Sequence, residues 1–276
     1  MKSSSVNEKN NNKADVIAIV LAAGKGMRMG GEEPKQFADV CGRSVLSYSL
    51  ETFEKHKEID AIVVVCPRGY KGRVKDICAR HGIKKCIKIV AGGDSRRDSS
   101  EAGVNAAVEI AKGSESIVLI HDSARPLISS DIISKNIMLA CNAGACITAA
   151  PAVDTVVLSK DGRTVESVPD RSQVWCVQTP QSFKLGVILN AHAFYCSIAE
   201  NERPAVTDDG GLVRLTGKAV AICPSDNVNF KITLPGDIER MRAIIEEETK
   251  SSEFRVQSSE LRVKSSELRG EPSDGK

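Results

Sequence analysis

This chain has no long apolar run, no cysteine framework and no excess of charge of either sign. No stretch approaches the ~20 residues that a membrane-spanning helix requires, and the polar opening residues Met1 to Asp15 lack the apolar core of a secretory signal. The expectation is a soluble, cytoplasmic protein that does not engage a membrane, with residues 1–14 as a disordered leader. Nine cysteines are scattered singly without a Cys-x-x-Cys pair, and Cys66, Cys146 and Cys223 sit in apolar, strand-like runs. Such spacing argues against structural zinc and against a disulfide scaffold, and reads as the reduced thiols of a cytosolic protein. With 38 Lys and Arg against 36 Asp and Glu, the formal net charge is +2, so no global field attracts nucleic acid. Any anion site must be a local cluster. The four histidines, His56, His81, His121 and His192, show neither metal-ligand spacing nor a helical pair, and no Ser-His-Asp set stands out.

What is present begins at Val16-Ile17-Ala18-Ile19-Val20-Leu21, followed by Ala22-Ala23-Gly24-Lys25-Gly26-Met27-Arg28-Met29-Gly30 and then Pro34-Lys35-Gln36. A β-branched run ending in small residues reads as a buried parallel strand, and glycines behind it let the backbone close around a phosphate. The dinucleotide fingerprint Gly-x-Gly-x-x-Gly fails here, because position 29 is Met29 and the next glycine is Gly30. The loop also carries Lys25, Arg28 and Lys35, where a dinucleotide loop relies on backbone amides and a helix N-terminus. A triphosphate is the better match.

In a chain of 276 residues, 41% hydrophobic and 27% charged, there is room for one large α/β domain or two small ones. Apolar spacing predicts helices over 45–56, 70–81, 99–112 and 130–141, alternating with strands over 61–66, 87–90, 116–120 and 145–150. The fold class is therefore α/β: a Rossmann-like, mostly parallel sheet with helices on both faces. In such sheets ligands gather at the carboxyl ends of the strands, where both the Gly24 loop and the segment His121 to Pro126 fall. From Ala152 the rhythm changes to alternation at Val153, Thr155 and Val157, with a turn signal at Asp161-Gly162 and a returning strand over 163–168. Residues 152–173 read as a projecting β-arm, and an isolated two-stranded arm is marginal in water unless it packs on something. Further on, the spacing predicts a helix over 184–201, short strands over 220–223 and 228–232, and a closing helix over 235–249. Beyond it lie three imperfect heptads, Ser-Ser-Glu-Phe-Arg-Val-Gln and two relatives. Their apolar residues are spaced by two and five, which gives no single helical seam. Residues 250–276 are expected as a low-complexity tail, disordered or weakly helical. The domain proper is 15–249.

The Leu-Ala-Ala-Gly-x-Gly-x-Arg-Met-Gly and Pro-Lys-Gln segments resemble the signature of the 2-C-methyl-D-erythritol 4-phosphate cytidylyltransferase family. The resemblance recurs at Gly92 to Ser99, His121 to Pro126, Asp154-Thr155, Asp170-Arg171, Gln178 to Gln181, Thr207 to Asp209 and Asn229 to Thr233. It covers roughly residues 15–249. It implies transfer of CMP from CTP to 2-C-methyl-D-erythritol 4-phosphate with release of pyrophosphate and formation of 4-diphosphocytidyl-2-C-methyl-D-erythritol. It also implies a homodimer whose arms reach into the partner's site.

Carried onto this chain, the resemblance makes Arg28, Lys35 and Lys231 catalytic cations for the phosphates. Nucleotide-binding positions would be Ala22, Ala23, Gly24, Gly26, Gly93, Asp94, Ser99 and Ser123, where backbone groups and Ser99 read the cytosine edge. Arg125, Thr155, Arg171 and Thr207 would hold the polyol phosphate. The residues themselves leave alternatives open. A Gly-Gly-Asp turn before a helix looks the same without a base to read, and Arg125 serves equally well to hold Asp122. Asp122, at a strand's carboxyl end, suits Mg2+ bound by one carboxylate plus phosphates and water, or it caps a turn. Lys231, on the predicted strand, would point opposite to Phe230 and Ile232. His121 reads as structural, since positioning near a metal-polarised phosphate needs little else.

The nearest rival keeps the chemistry with ribitol 5-phosphate as acceptor. That sister family typically has Ala-Gly-Gly where this chain has Ala22-Ala23-Gly24. An NAD-dependent oxidoreductase is disfavoured by the broken fingerprint, and a silent nucleotide-binding regulator by the retention of Arg28, Lys35, Asp122 and Lys231 together. One departure from the family pattern is Gly210 after Thr207-Asp208-Asp209, where an alanine is usual.

Overall fold

In the computed structural model the described residues are 14–250, apart from 25–32, 227 and 248. The chain runs β1 (Val16–Leu21), a short hairpin of β2 (Asp39–Val40) and β3 (Arg43–Ser44), α1 (Val45–Lys55), β4 (Ala61–Cys66), α2 (Lys71–Arg80), β5 (Cys86–Ala91) and α3 (Arg96–Val108). It continues through β6 (Ile117–Asp122), α4 (Ser130–Ala143), β7 (Ala145–Pro151), β8 (Trp175–Lys184), α5 (Leu185–Ser197), α6 (Asp209–Leu215) and β9 (Ala221–Pro224). A last helix, α7, follows over 235–247. The main sheet has seven strands in the order β5-β4-β1-β6-β8-β7-β9. Only β8 runs against its neighbours, β6 and β7.

Strand β1 shows why the sheet is buried on both sides. Val16, Ala18 and Val20 pack with Leu46, Leu50 and Phe53 of α1 and with Val74 of α2. Ile17, Ile19 and Leu21 face the other way, onto Val104 and Ala107 of α3 and Ile188 of α5. A strand covered on both faces gains nothing from polar alternation, so it reads as a continuous apolar run. Helix α3 lies so close to the sheet that a Cβ at Gly103 would collide with Ile19 and Val65. A smaller cluster of Val40, Val45, Ile232 and Met241 docks α7 over the β2-β3 hairpin.

The predicted elements before residue 152 are all present, with boundaries moved by a few residues. Helix α3 starts at Arg96 rather than near Ser99, because Ser95 accepts from the Asp98 amide and Asp98 accepts from the Ser95 amide, a reciprocal capping box. Three departures are larger. Strand β8 was not predicted: Pro180 lies within it, and proline is rare in central strands. It is accommodated where the β7-β8 register shifts between Ile147 and Ala149, with Thr148 Oγ1 donating to the Pro180 carbonyl at 2.7 Å. Residues 228–232 are not a strand. Their backbone is satisfied instead by Arg125, which donates to the Asn229 carbonyl at 2.7 Å, and by the Ala124 carbonyl, which accepts from the Ile232 amide at 2.8 Å. Lys231 is therefore aimed by a loop, and strand alternation does not govern it. The predicted helix over 184–201 ends at Ser197, and a separate 3-10 turn spans Glu200–Glu202.

In the arm, the turn forms as predicted, with Gly162 at φ +68° and Asp161 Oδ1 accepting from the Arg163 and Thr164 amides at 2.8 Å. Its two sides form a single β-bridge, Leu158 to Ser167, beside an ion pair of Lys160 with Glu166. The returning strand over 163–168 is thus not a regular strand. Residues 1–13 and 251–276, with the leader and the heptads, lie outside the described residues.

Candidate active site

The carboxyl ends of β1, β5 and β6 open onto a cleft of about 370 Å³. Its near wall is Ala23 and Gly24, which leave β1, with the Ala22 amide tied to the Val65 carbonyl at 2.7 Å. Gln36, buried beneath, donates to the carbonyls of Ala22 and Gly24 at 2.5 and 3.0 Å and so pins the start of the glycine loop. The opposite wall is Gly93, Asp94 and Ser99 at the β5-α3 junction. A Cβ at Gly92 would strike Ala23 and Ser99 Oγ, so the two walls approach closely only because both are small.

Charge is concentrated on the floor. Asp122, the last residue of β6, takes Lys231 Nζ on Oδ2 at 2.6 Å and Arg96 Nε on Oδ1 at 3.2 Å. Burial works against its ionisation, but Arg96 and then Lys231 outweigh that and hold the carboxyl well below the usual carboxylate range. Arg96 continues the chain, with Nη1 donating to Asp209 Oδ2 at 2.8 Å. Asp209 Oδ1 in turn accepts from Ser100 Oγ at 2.5 Å. Burial opposes the charge on Arg96 as well, yet Asp209 and Asp122 raise its pKa above the ordinary arginine value. Lys35 Nζ donates to the Ile232 carbonyl at 2.6 Å, one residue from Lys231. Two ammonium groups therefore converge on one short loop at the mouth of the cleft.

Of the predicted site residues, the cleft brings together Ala23, Gly24, Lys35, Gly93, Asp94, Ser99, Asp122, Ser123 and Lys231. Ala22 is buried just behind it. Gly26, Arg28 and the neighbouring Lys25 lie outside the described residues. The Arg125 guanidinium donates to the carbonyls of Asn229 and Val177 at 2.7 and 3.3 Å, bracing the loop that carries Lys231, while its backbone amide donates to the Asp122 carbonyl at 2.9 Å. Thr207 is exposed immediately before α6. Thr155 and Arg171 are exposed on the arm and do not line the cleft of their own chain, Arg171 reaching only the Val153 carbonyl at 3.4 Å. His121 is fully buried between the Arg125 carbonyl and Thr179 Oγ1. Burial pushes its pKa down to about 4, so it is a neutral structural imidazole at physiological pH.

Sequence reasoning missed Arg96 and Asp209. A signal was available: arginine at the first position of a helix has the wrong sign for the helix dipole, so Arg96 needed a carboxylate partner from elsewhere. Among the described residues no three His, Cys, Asp or Glu side chains are grouped to hold a metal. A cation here would rest on the Asp122 carboxylate with phosphate and water completing its shell, which is magnesium's habit. Asp122 fits that role.

A glycine-lined cleft at the carboxyl ends of parallel strands, with Lys231 on a buried carboxylate and Lys35 lining the same cleft, defines a nucleotidyltransferase of the α/β class. Residues 16–247 match the family described as 2-C-methyl-D-erythritol 4-phosphate cytidylyltransferase, and the chain belongs to that family. It is 38% identical to the protein of that name from Alkaliphilus metalliredigens, over 81% of this chain and 90% of the relative. A ribitol-5-phosphate cytidylyltransferase from Lactiplantibacillus plantarum is 31% identical over 85% of this chain and all of its own. Among solved structures, the 4-diphosphocytidyl-2C-methyl-D-erythritol synthase of Anaerococcus prevotii superposes with a TM-score of 0.71 at 31% identity, covering 84% of this chain and 98% of that one.

Proposed function

We propose that the chain transfers the cytidylyl group of CTP to 2-C-methyl-D-erythritol 4-phosphate. The acceptor's phosphate oxygen forms a bond to the α-phosphorus, the bond from that phosphorus to the β-phosphate oxygen breaks, and pyrophosphate leaves. A phosphate oxygen is largely unprotonated at neutral pH, since the second phosphate pKa is about 6. No general base is then needed, which agrees with the burial of His121. What remains for the protein is to align the reactants and to stabilise charge growing on the attacked phosphorus.

The observation that carries this reading is the convergence of Lys35 and Lys231 on one loop above Asp122. Lys231 is assigned to the α-phosphate, Lys35 and Arg28 to the remaining phosphate oxygens, and Gly93, Asp94 and Ser99 with Ser123 to the base and ribose. Magnesium, held through Asp122, would supply further neutralisation of the triphosphate. Arg125, Thr155, Arg171 and Thr207 are assigned to the acceptor's side, the second and third across a homodimer. The arm supports that assembly: Val153, Val157, Leu158, Val165 and Val168 are all about half exposed or more, an apolar face that a second copy would cover. No described helix is long and apolar enough to cross a membrane, and cytoplasmic residence is part of the proposal.

Pyrophosphate release with each nucleoside triphosphate against each polyol phosphate tests the reading. CTP with 2-C-methyl-D-erythritol 4-phosphate should be the best pair. Equal turnover of ATP or GTP would reject cytidylyl specificity, and faster turnover of ribitol 5-phosphate would transfer the chain to the sister activity.

A further inference from the structure

We infer that Arg96 is a positioning residue for the transfer, the clamp that joins the nucleotide side of the cleft to the acceptor side; the inference rests on the function proposed above. The guanidinium is the one group among the described residues seen to bridge Asp122 and Asp209, with Nε on the first at 3.2 Å and Nη1 on the second at 2.8 Å. Each carboxylate belongs to a different half of the site. Asp122 holds Lys231, while Asp209 opens α6 two residues after Thr207. The third nitrogen, Nη2, is shielded from solvent and has no hydrogen-bond partner among the described residues. A fork with two prongs engaged and one unengaged is fixed in orientation by the first two.

Two consequences follow. The first concerns charge. Lys231 is bonded to Asp122 here, yet must serve phosphate during transfer. If Lys231 were the sole partner, its departure would leave a buried carboxylate unpaired, which is strongly unfavourable. Arg96 stays on Oδ1 and keeps Asp122 compensated while a cation takes the Oδ2 that Lys231 leaves, so the lysine is free to move. The second concerns geometry. Helix α6 is seated by contacts at its first turn: Arg96 and Ser100 on Asp209, Gln181 on Asp208 at 2.9 Å, and the Gly210 amide on Gln181 at 2.8 Å. Gly210 leaves room for this seat, since a Cβ there would press on the Ile147 side chain and one of the two would have to shift. The glycine that departs from the family pattern therefore lets α6 approach β7, and Arg96 fixes it from the cleft side.

The test compares the wild type with Arg96→Lys, Arg96→Ala, Asp209→Asn and the Arg96→Ala/Asp209→Asn double variant. Wild-type pyrophosphate release tests the parent function; the variants are read against it and by hydrogen exchange, which needs no turnover. Arg96→Ala should raise the acceptor KM and lower kcat by about 10- to 100-fold, the usual scale for losing an orienting partner. CTP affinity by titration calorimetry should change by less than about threefold. Amides over 207–213 should exchange faster while those of α4 do not. Asp209→Asn should reproduce the acceptor effect, and the double variant should add little to it. Arg96→Lys, which keeps the charge and loses the fork, should recover only part. An unaltered acceptor KM with unaltered exchange over 207–213 overturns the inference, as do fully additive single effects. So does a CTP affinity that falls as far as the acceptor KM rises, because Arg96 would then contact the nucleotide directly.

Discussion

The cleft floor and the arm handle their side chains in opposite ways. On the floor, Lys231, Asp122, Arg96, Asp209 and Ser100 form an unbroken chain of contacts between 2.5 and 3.2 Å. Each charge there meets an opposite one drawn from a distant part of the sequence. The arm has one backbone bridge, and its valines face outward with Val153 66% and Val165 62% exposed. Its polar contacts are local, such as Asp161 with Ser159 and Thr164. The floor is complete within one chain, whereas the arm has a turn but no core. Burial with compensated charge gives a pre-organised site; exposure with an apolar face leaves a surface that the proposed dimer would cover.

The sharpest way to break the floor is Lys231→Ala. Removing the cation proposed to act on the transition state should lower kcat on the order of 10²-fold or more, with CTP affinity little changed. The fold should survive, because Asp122 retains Arg96. Steady-state kinetics beside calorimetric CTP binding checks this, and a loss confined to binding would reassign the lysine to uniform substrate binding.

The arm is tested by mixing two inactive proteins, Lys35→Ala and Arg171→Ala, under conditions that permit subunit exchange. If arms are shared, a mixed dimer holds one site with both residues intact. Half the dimers being mixed, activity should recover to about a quarter of wild type. If each chain completes its own site, no site is intact and nothing is recovered despite verified exchange. Val157→Asp should in parallel shift the dimer towards monomer in sedimentation velocity, since it places charge on the face to be covered.

This contrast also explains what was legible in the sequence. Strands β1, β4 and β6 are apolar runs with helical patterns between them, and local composition suffices to find them. The glycines, Lys35, Asp122 and Lys231 were legible because short motifs hold them at the ends of such strands. Strand β8 was not, since its polar residues and Pro180 are satisfied by long-range partners: Thr179 Oγ1 accepts from the Asp122 amide, and Gln181 reaches Asp208. Lys231 was found for an incomplete reason. Its loop is shaped by Arg125 and by Asn229, whose side chain donates to Gln178 and to the Thr179 carbonyl. Arg96 escaped notice because its partners lie 26 and 113 residues away. Pairings at that separation leave no periodicity to read.

A smaller effect separates the helix carrying Arg96 from the chemistry it serves. Ser95 caps α3 through the Asp98 amide at 3.1 Å. Ser95→Ala should cost about 1 kcal/mol of stability, seen as a lower denaturant midpoint at unchanged slope, while kcat stays close to wild type. A large kcat loss would mean that the cap itself belongs to the site and is not merely support for Arg96.

The smallest expected effect lies behind the floor, at His192 on α5. Its ring is buried, and among the described residues neither nitrogen has a hydrogen-bond partner. Burial lowers its pKa; Asp209 and Glu101 pull the other way, and Arg97 adds to the lowering. A histidine depressed in the folded state takes up its proton more readily when unfolded, where its pKa is about 6.5. The unfolded chain then binds more protons as pH falls below that value, so stability must rise with pH across this window. The contribution is fully present above about pH 6.5 and is lost on acidification, by at most about 1.4 kcal/mol per pH unit for one proton. Replacing the ring with an apolar side chain of similar size, His192→Leu, removes the titration and leaves the packing largely filled. Urea unfolding at pH 7.5 and pH 5.5 should show a smaller drop between the two for His192→Leu than for the wild type. Equal drops would mean that the buried imidazole of His192 contributes none of the acid sensitivity of the fold over this range.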